Sequence, residues 1–279
     1  MTEQEIRNIV KEEIKKILKE GIDLKQDGDK RTVSVTNNHQ NYVDTNDYKN
    51  PKLFDGECRG YRTISIFQRK TTEDGFDANP LLYALKGLKG WELGDKKKDL
   101  MILLKNFVSA SKLLPKYDTI IMTASSNKLN HIVFNYLLRL VHHDYAFEEF
   151  FEKLSADEVY ESFIDDEYIK NNFKNPKSVY KVIDDAFKMM HVENKGVFSY
   201  KYIYRSAYRE AIIKSLKIKD YPSCQLNYAE AINGKDILVF DDTITTGKTI
   251  SDSAEAIKEM FVPKSLTFIT LFSALNKNN

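Results

Sequence analysis

The sequence predicts an α/β fold, in which helices flank a sheet made mainly of parallel strands. Short apolar runs at 118–123, 236–240 and 265–272 have the pattern of strands buried on both faces. The first two runs are each followed by a polar loop and then by apolar residues at helical spacing. Strands that alternate with helices are typical of parallel sheets, because a helix carries the chain back to the start of the next strand.

The first part of the chain, residues 1–115, is predicted to be an accessory region. Residues 2–20 carry an apolar stripe at helical spacing, and Gly21 is expected to end that helix. Residues 25–60 are polar, and we interpret them as loops around one short strand at 31–36.

The segment that follows is predicted to run from a strand into two helices. Alternating apolar and polar residues at 61–69 indicate a half-exposed strand. A helix is expected near 80–87, followed by a bend rich in glycine and lysine that ends in the triple lysine 96–98. The second helix runs to about Leu114 and stops before Pro115.

Residues 116–279 are predicted to form the α/β core, which carries one large insertion. The insertion is acidic and aromatic, and its pattern is mostly helical. The elements expected between the first core strand and the last unit are a helix at 129–141, the inserted layer at 143–195, a strand at 197–204 and a helix at 205–218.

The composition excludes several classes of protein. The 279 residues carry 42 Lys+Arg and 41 Asp+Glu, so the formal net charge is +1, which argues against a dedicated nucleic-acid or membrane-surface binder. No apolar run approaches the ~18 residues of a membrane span, and the first ten residues do not have the pattern of a secretory signal. Two cysteines, Cys58 and Cys224, do not suffice for a disulfide framework or a cysteine-based zinc site. We therefore expect a cytoplasmic protein.

Two adjacent carboxylates, Asp241 and Asp242, follow the buried strand at 236–240. The carboxyl ends of parallel strands are where ligands bind in open α/β sheets. Neighbouring carboxylates repel each other, so keeping both ionised is costly. The two vicinal hydroxyls of a sugar donate hydrogen bonds to carboxylates without adding charge. The acidic pair therefore predicts a site for a sugar diol.

The next five residues, Thr245, Thr246, Gly247, Lys248 and Thr249, have the composition of an anion-binding loop. Gly247 permits a tight turn, the threonines supply hydroxyl donors, and the helix that follows presents free backbone N–H groups. A phosphate site is thus predicted beside the diol site, at about the spacing found in ribose 5-phosphate.

Two other interpretations of this loop are weaker. Helix N-capping needs only one Asp or Thr, so it leaves the second carboxylate and the rest of the run unexplained. A nucleotide-binding P-loop would share Gly247-Lys248-Thr249, but it needs a glycine where this chain has Asp242. The charge of that carboxylate would face the nucleotide phosphates, so we reject an ATPase.

Residues 237–250 resemble the phosphoribosyl-pyrophosphate (PRPP) motif of the type I phosphoribosyltransferases: an apolar strand, two acidic residues, three variable residues and Thr-Gly-x-Thr. The resemblance implies a phosphoribosyltransferase core with an N-terminal hood. It implies that the catalytic residues Asp241 and Asp242 hold the ribose hydroxyls, and that Thr245–Thr249 bind the 5-phosphate. The order of segments is also similar to that of the ComF-like branch, although the N-terminal zinc cysteines of that branch are absent.

The resemblance also assigns the loop after the strand at 118–123 to the diphosphate. Ala124, Ser125, Ser126 and Asn127 would bind it through backbone N–H groups, and the charge of Lys128 would assist catalysis. An ordinary polar loop is an equally open interpretation of these five residues.

The reaction implied is the displacement of pyrophosphate from C1 of PRPP, with Mg²⁺ as a cofactor held mainly by substrate oxygens rather than by a protein metal site. The sequence leaves the acceptor open between a base, an amine and a sugar hydroxyl. Purine-salvage members of the family carry an Asp where this chain has Thr245, so their scheme is not expected here. Lys201, Arg205 and Arg209 are candidates for the basic residue that a mobile loop adds in many members.

A second hypothesis is a binding module: a PRPP-sensing regulator, or a ComF-like accessory protein, without turnover. The partners expected under the first hypothesis are PRPP, pyrophosphate and the acceptor, and a homodimer is compatible with it. Nucleic acid is not an expected partner under either hypothesis, since the charge is near neutral.

Overall fold

The computed structural model describes residues 21–27, 30–36, 43–44, 51–69, 80–125, 127–219, 228–244 and 246–273. The helix predicted for 2–20 lies outside these residues, and so do two predicted site residues, Ser126 and Thr245. Among the described helices, none combines the length and the apolar character that a membrane span requires.

Strands and helices alternate along much of the described chain. The strands are β1 (Gly21–Asp27), β2 (Lys30–Thr36), β3 (Val43–Asp44), β4 (Phe54–Cys58), β5 (Tyr61–Arg69), β6 (Trp91–Leu93), β7 (Thr119–Met122), β8 (Tyr145–Phe147), β9 (Phe151–Lys153), β10 (Leu216–Ile218), β11 (Asp236–Ile244) and β12 (Ser265–Ser273). The helices are α1 (Pro80–Lys86), α2 (Lys96–Ser111), α3 (Lys128–Leu140), α4 (Ala156–Ser162), α5 (Asp166–Asn172), α6 (Pro176–Glu193), α7 (Ser206–Arg209), α8 (Tyr228–Ile232) and α9 (Lys248–Met260), with a 3₁₀ turn at Tyr200–Tyr202.

The main sheet has seven strands within the described residues, in the order β3, β5, β12, β11, β7, β8, with β4 also paired to β5. The five strands from β5 to β8 run parallel, whereas β3 and β4 are antiparallel to β5. At the centre, Phe240 of β11 lies between Met122 of β7 and Ile269 of β12. The sheet is therefore mixed but mostly parallel, which confirms the predicted α/β class.

Helices cover both faces of this sheet. On one face, Phe134 of α3 packs against Phe240 with ring centroids 6.2 Å apart. On the other face, Ile257 of α9 and Val239 of β11 belong to the same core. Successive side chains of a strand point to opposite faces, so β11 contributes alternately to the two cores. This alternation also decides where the acidic pair lies.

The connections from the two central strands leave in opposite directions. α3 carries the chain from β7 to its outer neighbour β8, and α9 carries it from β11 to β12 on the other side. Adjacent parallel strands with diverging connections leave a crevice at their carboxyl ends, where ligands bind in open sheets. The described residues of the predicted loops 124–128 and 245–249 follow these two strands, so the topology brings them to that crevice.

β5 is an internal strand and not the half-exposed strand that its alternating residues predict. Residues 63–67 are all buried, because β5 pairs on both edges. Its polar members, Thr63 and Ser65, lie on a face that is covered like the apolar one. The alternating pattern therefore predicted strand β5 correctly but predicted the wrong degree of exposure for it.

The polar N-terminal segment contains more strands than expected. β1 and β2 form an antiparallel pair, and β6 adds to β2 in parallel. Val35 is buried, and its backbone N–H donates to the buried carboxylate of Asp99 in α2 at 3.0 Å. Gly21, expected to end a helix, begins β1. A few buried valines are enough for these strands, because α2 covers them.

The triple lysine 96–98 forms the first turn of α2, which corrects the expectation of a bend. Asp95 precedes it as the N-cap residue and accepts a hydrogen bond from the backbone N–H of Lys98 at 3.0 Å. A capping carboxylate satisfies one of the free N–H groups at a helix start, so lysines are tolerated there.

The insertion has a core of its own, formed by α4, α5, α6 and the chain up to Ile212. It is not helical throughout, because β8 is an edge strand of the main sheet and β9 pairs with β10. The strand predicted for 197–204 and the helix predicted for 205–218 are both wrong: the structure has the 3₁₀ turn, the short helix α7 and the strand β10. Apolar side chains in this stretch are buried at irregular spacing, which neither helical nor strand periodicity describes.

Candidate functional site

The acidic pair lies within strand β11, which continues to Ile244 instead of ending before a loop at Asp241. Continued pairing with β12, including Thr243 beside Phe272, extends the strand through the motif. Strand geometry then places Asp241 on the face covered by α9 and Asp242 on the face covered by α3. The two carboxylates are neighbours in sequence that open on different cavities.

Asp242 forms an ion pair with Lys86, the last residue of α1. Both side chains are mostly buried, at 12 % and 13 % exposed. Both nevertheless line a cavity of about 930 Å³ at this end of the sheet, so the carboxylate is paired and still reachable from open space. This volume lies at the upper end of the ~300–1,000 Å³ typical of ligand sites.

Asp241 is held by the neighbouring strand and by its own backbone. Its Oδ1 accepts hydrogen bonds from the Thr123 hydroxyl at 3.0 Å and from the Asp242 backbone N–H at 2.9 Å. Burial raises the pKa of Asp241 to about 6, and the negative charge of Asp242 contributes to this increase. Keeping Asp241 ionised is thus costly at neutral pH, and a further hydrogen-bond donor from a ligand would lower this cost.

The loop after β7 forms another wall of the large cavity, to which Ala124, Ser125 and Asn127 all contribute. Asn127 caps α3, accepting from the backbone N–H of Leu129 at 2.8 Å. Lys128 begins the helix, is exposed and does not line the cavity. The structure therefore brings three of the predicted diphosphate residues to the same cavity as Asp242, but not the side chain of Lys128.

The second cavity is small, about 60 Å³, and lies at the start of α9. Asp241 lines it together with the four described residues of the predicted phosphate loop, Thr246, Gly247, Lys248 and Thr249. Gly247 is the N-cap residue with φ of 76°, and within the described residues no side chain caps this helix. Free N–H groups at a helix start attract anions, so the loop retains the features predicted for a phosphate site.

The side chain of Lys248 turns away from this loop. Its ammonium lies 2.8 Å from Asp252 Oδ1, one turn further along α9. Asp252 also accepts hydrogen bonds from the hydroxyls of Tyr200, at 2.8 Å, and Ser215. Burial raises the pKa of Asp252, and the charge of Lys248 opposes this increase. The backbone N–H of Lys248 can therefore bind an anion in the loop, while its ammonium group pairs with Asp252.

The turn between β4 and β5 covers the phosphate loop. Arg59 donates from Nε to the carbonyl oxygen of Thr246 at 3.1 Å, and its terminal nitrogens bind both carboxylate oxygens of Glu210. A Cβ added to Gly247 would overlap Cys58 Sγ. The β4–β5 turn therefore packs closely on Gly247 and leaves no room for a side chain at this position.

Several residues of the site escaped sequence analysis. Lys86 and Arg59 approach from 156 and 187 positions away in sequence, and no local pattern marks such a partner. Lys153, at the end of β9, reaches the large cavity from the insertion. His131 and Glu148 also line this cavity and lie 2.6 Å apart. Thr123 could have been found from the sequence, because it is the last residue of the strand predicted at 118–123 and directly precedes the loop.

The three mobile-loop candidates lie in different places. Lys201 lines the large cavity, and Arg209 lines the small one, where its Nε donates to the carbonyl of Ile203 at 2.8 Å. Arg205 lines neither, and it donates to the hydroxyl of Tyr208 at 2.7 Å.

A Mg²⁺ ion would find few protein ligands here. The described residues contain no group of three or more His, Cys, Asp or Glu side chains placed to hold a metal. Mg²⁺ usually keeps several waters and binds through one or two carboxylates plus substrate phosphates. Asp242, which lines the large cavity, fits that mode as a single carboxylate, with the substrate bringing most of the ligands.

A comparison of the chain with models of protein families finds no match, and a comparison with curated proteins finds no significant relative.

Proposed function

We propose that this protein is a PRPP-dependent phosphoribosyltransferase. One observation carries the proposal: the acidic pair lies on the central strand β11, at the crevice between diverging connections, and the uncapped start of α9 follows directly. A diol site and a phosphate site separated by a few residues suit a phosphorylated pentose.

In this proposal the pentose crosses the carboxyl end of β11. Its 5-phosphate enters the small cavity and accepts hydrogen bonds from the backbone N–H groups of Gly247–Thr249. Its hydroxyls are reached by Asp241 from that side and by Asp242 from the large cavity. C1 and the diphosphate then lie in the large cavity, beside the loop residues Ser125 and Asn127.

The reaction is a displacement at C1. The bond between C1 and the diphosphate oxygen breaks, its electron pair leaves with pyrophosphate, and a lone pair of the acceptor forms the new bond from the opposite face. The acceptor proton passes to solvent. Positive charge that develops on the ribose is stabilised by Asp241 and Asp242, while Lys86 stays close as a counter-charge to Asp242. Bound Mg²⁺ supplies neutralisation of the charge on the leaving group.

The test is pyrophosphate release from PRPP in the presence of Mg²⁺, over a panel of bases, amines and sugars. We expect release with at least one acceptor, and its loss in the Asp242→Asn variant. Absence of release with every acceptor, from a protein that binds PRPP, would reject the enzyme.

The ion pair of Lys86 with Asp242 favours one second candidate, a PRPP sensor. In this alternative the ligand displaces Lys86 from Asp242, and Lys86 is the last residue of α1. Binding would then shift α1 without any chemistry. PRPP binding without pyrophosphate release, accompanied by altered amide hydrogen exchange in α1, is the outcome that supports the sensor.

A further inference from the structure

The negative charges that line the large cavity are mostly neutralised by neighbouring basic side chains. Most carboxylates that line the cavity already have a basic partner. The pairs are Asp242 with Lys86, Glu148 with His131, Glu149 with Lys219 and Glu152 with Lys217. Among the described residues, Glu193 is the one lining carboxylate outside such a pair.

Three lysines that line the same cavity, Lys153, Lys195 and Lys201, make no salt bridge within the described part of the chain. Lys201 has an aromatic neighbour instead, because its ammonium lies 4.6 Å from the centroid of the Tyr202 ring. Free lysines on an open surface are solvated and ordinary, but these are gathered around a cavity.

Lys153 lies in an environment that disfavours its charge. Although solvent reaches its side chain through the cavity, the surrounding protein desolvates the ammonium and lowers its pKa. The negative charges of Asp241 and Asp242 oppose this effect, and the positive charge of Lys201 reinforces it. Lys153 and Lys201 are therefore within electrostatic reach of each other, and an anion between them would relieve their repulsion.

We propose that Lys153 and Lys201 form an anion-binding subsite in the large cavity, which takes a phosphate or carboxylate group. The insertion and the 3₁₀ turn that follows it, and not the N-terminal region expected to form the hood, then contribute this part of the site. The subsite itself is inferred from the cavity alone, whereas the identity of the ligand that carries the anionic group rests on the proposed function. The anionic group is either the diphosphate of PRPP or an acidic group of the acceptor.

The subsite is tested by calorimetric titration of the full chain with inorganic pyrophosphate. We expect Lys153→Gln and Lys201→Gln each to weaken binding about 10- to 100-fold, the range expected for the loss of a charge-assisted hydrogen bond. Lys153→Arg should retain most of the affinity because it keeps the charge. Lys181→Gln is the matched control, since Lys181 is exposed on α6 and lies outside the cavity.

Equal affinity of the wild type and both glutamine variants would overturn the subsite, and so would an equal loss in Lys181→Gln. Circular dichroism of each variant separates these results from misfolding. A protein that binds pyrophosphate through Lys153 but fails to bind PRPP or ribose 5-phosphate would retain the subsite and reject the proposed function.

Titration with two sugar phosphates, PRPP and ribose 5-phosphate, identifies the ligand whose anionic group occupies the subsite. If Lys153→Gln weakens binding of PRPP but not of ribose 5-phosphate, the subsite holds the diphosphate. If both sugar phosphates bind the variant as they bind the wild type, while pyrophosphate binding is weakened, the anion belongs to the acceptor.

Discussion

At the scale of single residues, Asp241 and Asp242 differ in electrostatic setting although they are adjacent. Asp242 has a cationic partner in Lys86, whereas Asp241 is held by a hydroxyl and a backbone N–H. We therefore expect amide substitutions at the two positions to change stability in opposite directions.

Asp241→Asn should stabilise the free protein at neutral pH by about 1–3 kcal/mol, because it removes a carboxylate that burial makes costly to ionise. The pKa of Asp241 is raised to about 6 from an ordinary value of 3.8. Its contribution to wild-type stability is therefore fully present below about pH 4 and is lost as the pH rises through 6. Urea unfolding at pH 7 and pH 4.5 measures this, and an equal difference between variant and wild type at both values would contradict it.

Asp242→Asn should destabilise the protein by about 2–4 kcal/mol, because Lys86 is left mostly buried without its counter-charge. Adding Lys86→Met should recover much of this loss. A double-mutant cycle of these two substitutions measures the coupling free energy, which we expect to be about 1–3 kcal/mol. A coupling near zero would mean that the ion pair does not form in solution.

At the scale of elements, the unit β11–loop–α9 depends on the close fit of Gly247 beneath the β4–β5 turn. Gly247→Ala meets two penalties, a positive φ and an overlap with Cys58 Sγ. Gly234→Ala is the matched control, since its φ of 70° is similar and its added Cβ would meet open space.

We expect Gly234→Ala to cost about 1–2 kcal/mol from backbone strain alone. Gly247→Ala should cost about 1–3 kcal/mol more, because the covering turn must also move. Chemical unfolding of both variants measures the difference, and equal costs would show that the turn does not press on the loop.

The same unit shows what sequence predicts well. The apolar runs at 236–240 and 265–272 fix two strands, and the stripe from Ile250 to Phe261 fixes the helix between them. The extension of β11 to Ile244 was not predictable, because it depends on pairing with β12 and not on the polar residues themselves. As a result, the sequence placed the acidic pair next to the strand correctly, but it did not show that the two carboxylates lie on opposite faces of the sheet.

At the scale of the whole molecule, the main sheet and the insertion have separate hydrophobic cores. The helices of the insertion were predictable from periodicity, but its role as a cavity wall was not. Lys153 and Lys201 reach the cavity through a short strand and a 3₁₀ turn, which have no strong pattern in sequence.

Separate cores predict separate stability. Ile183→Ala, in the centre of α6, should destabilise the insertion by about 2–4 kcal/mol through the cavity that it leaves. Amide hydrogen exchange should then increase in α4, α5 and α6 while β7, β11 and β12 stay protected. A uniform increase across both regions would instead indicate one cooperative unit.

The central claim is that β11 and the start of α9 bind a phosphorylated pentose, and calorimetric titration with PRPP and Mg²⁺ tests it most directly. We expect the wild type to bind, the double variant Asp241→Asn, Asp242→Asn to lose at least about 100-fold in affinity, and both proteins to stay folded. Asp236→Asn is the control, because it removes a carboxylate from the opposite end of the same strand, and it should bind PRPP like the wild type. Unchanged affinity in the double variant, or no binding by the wild type, would contradict the claim.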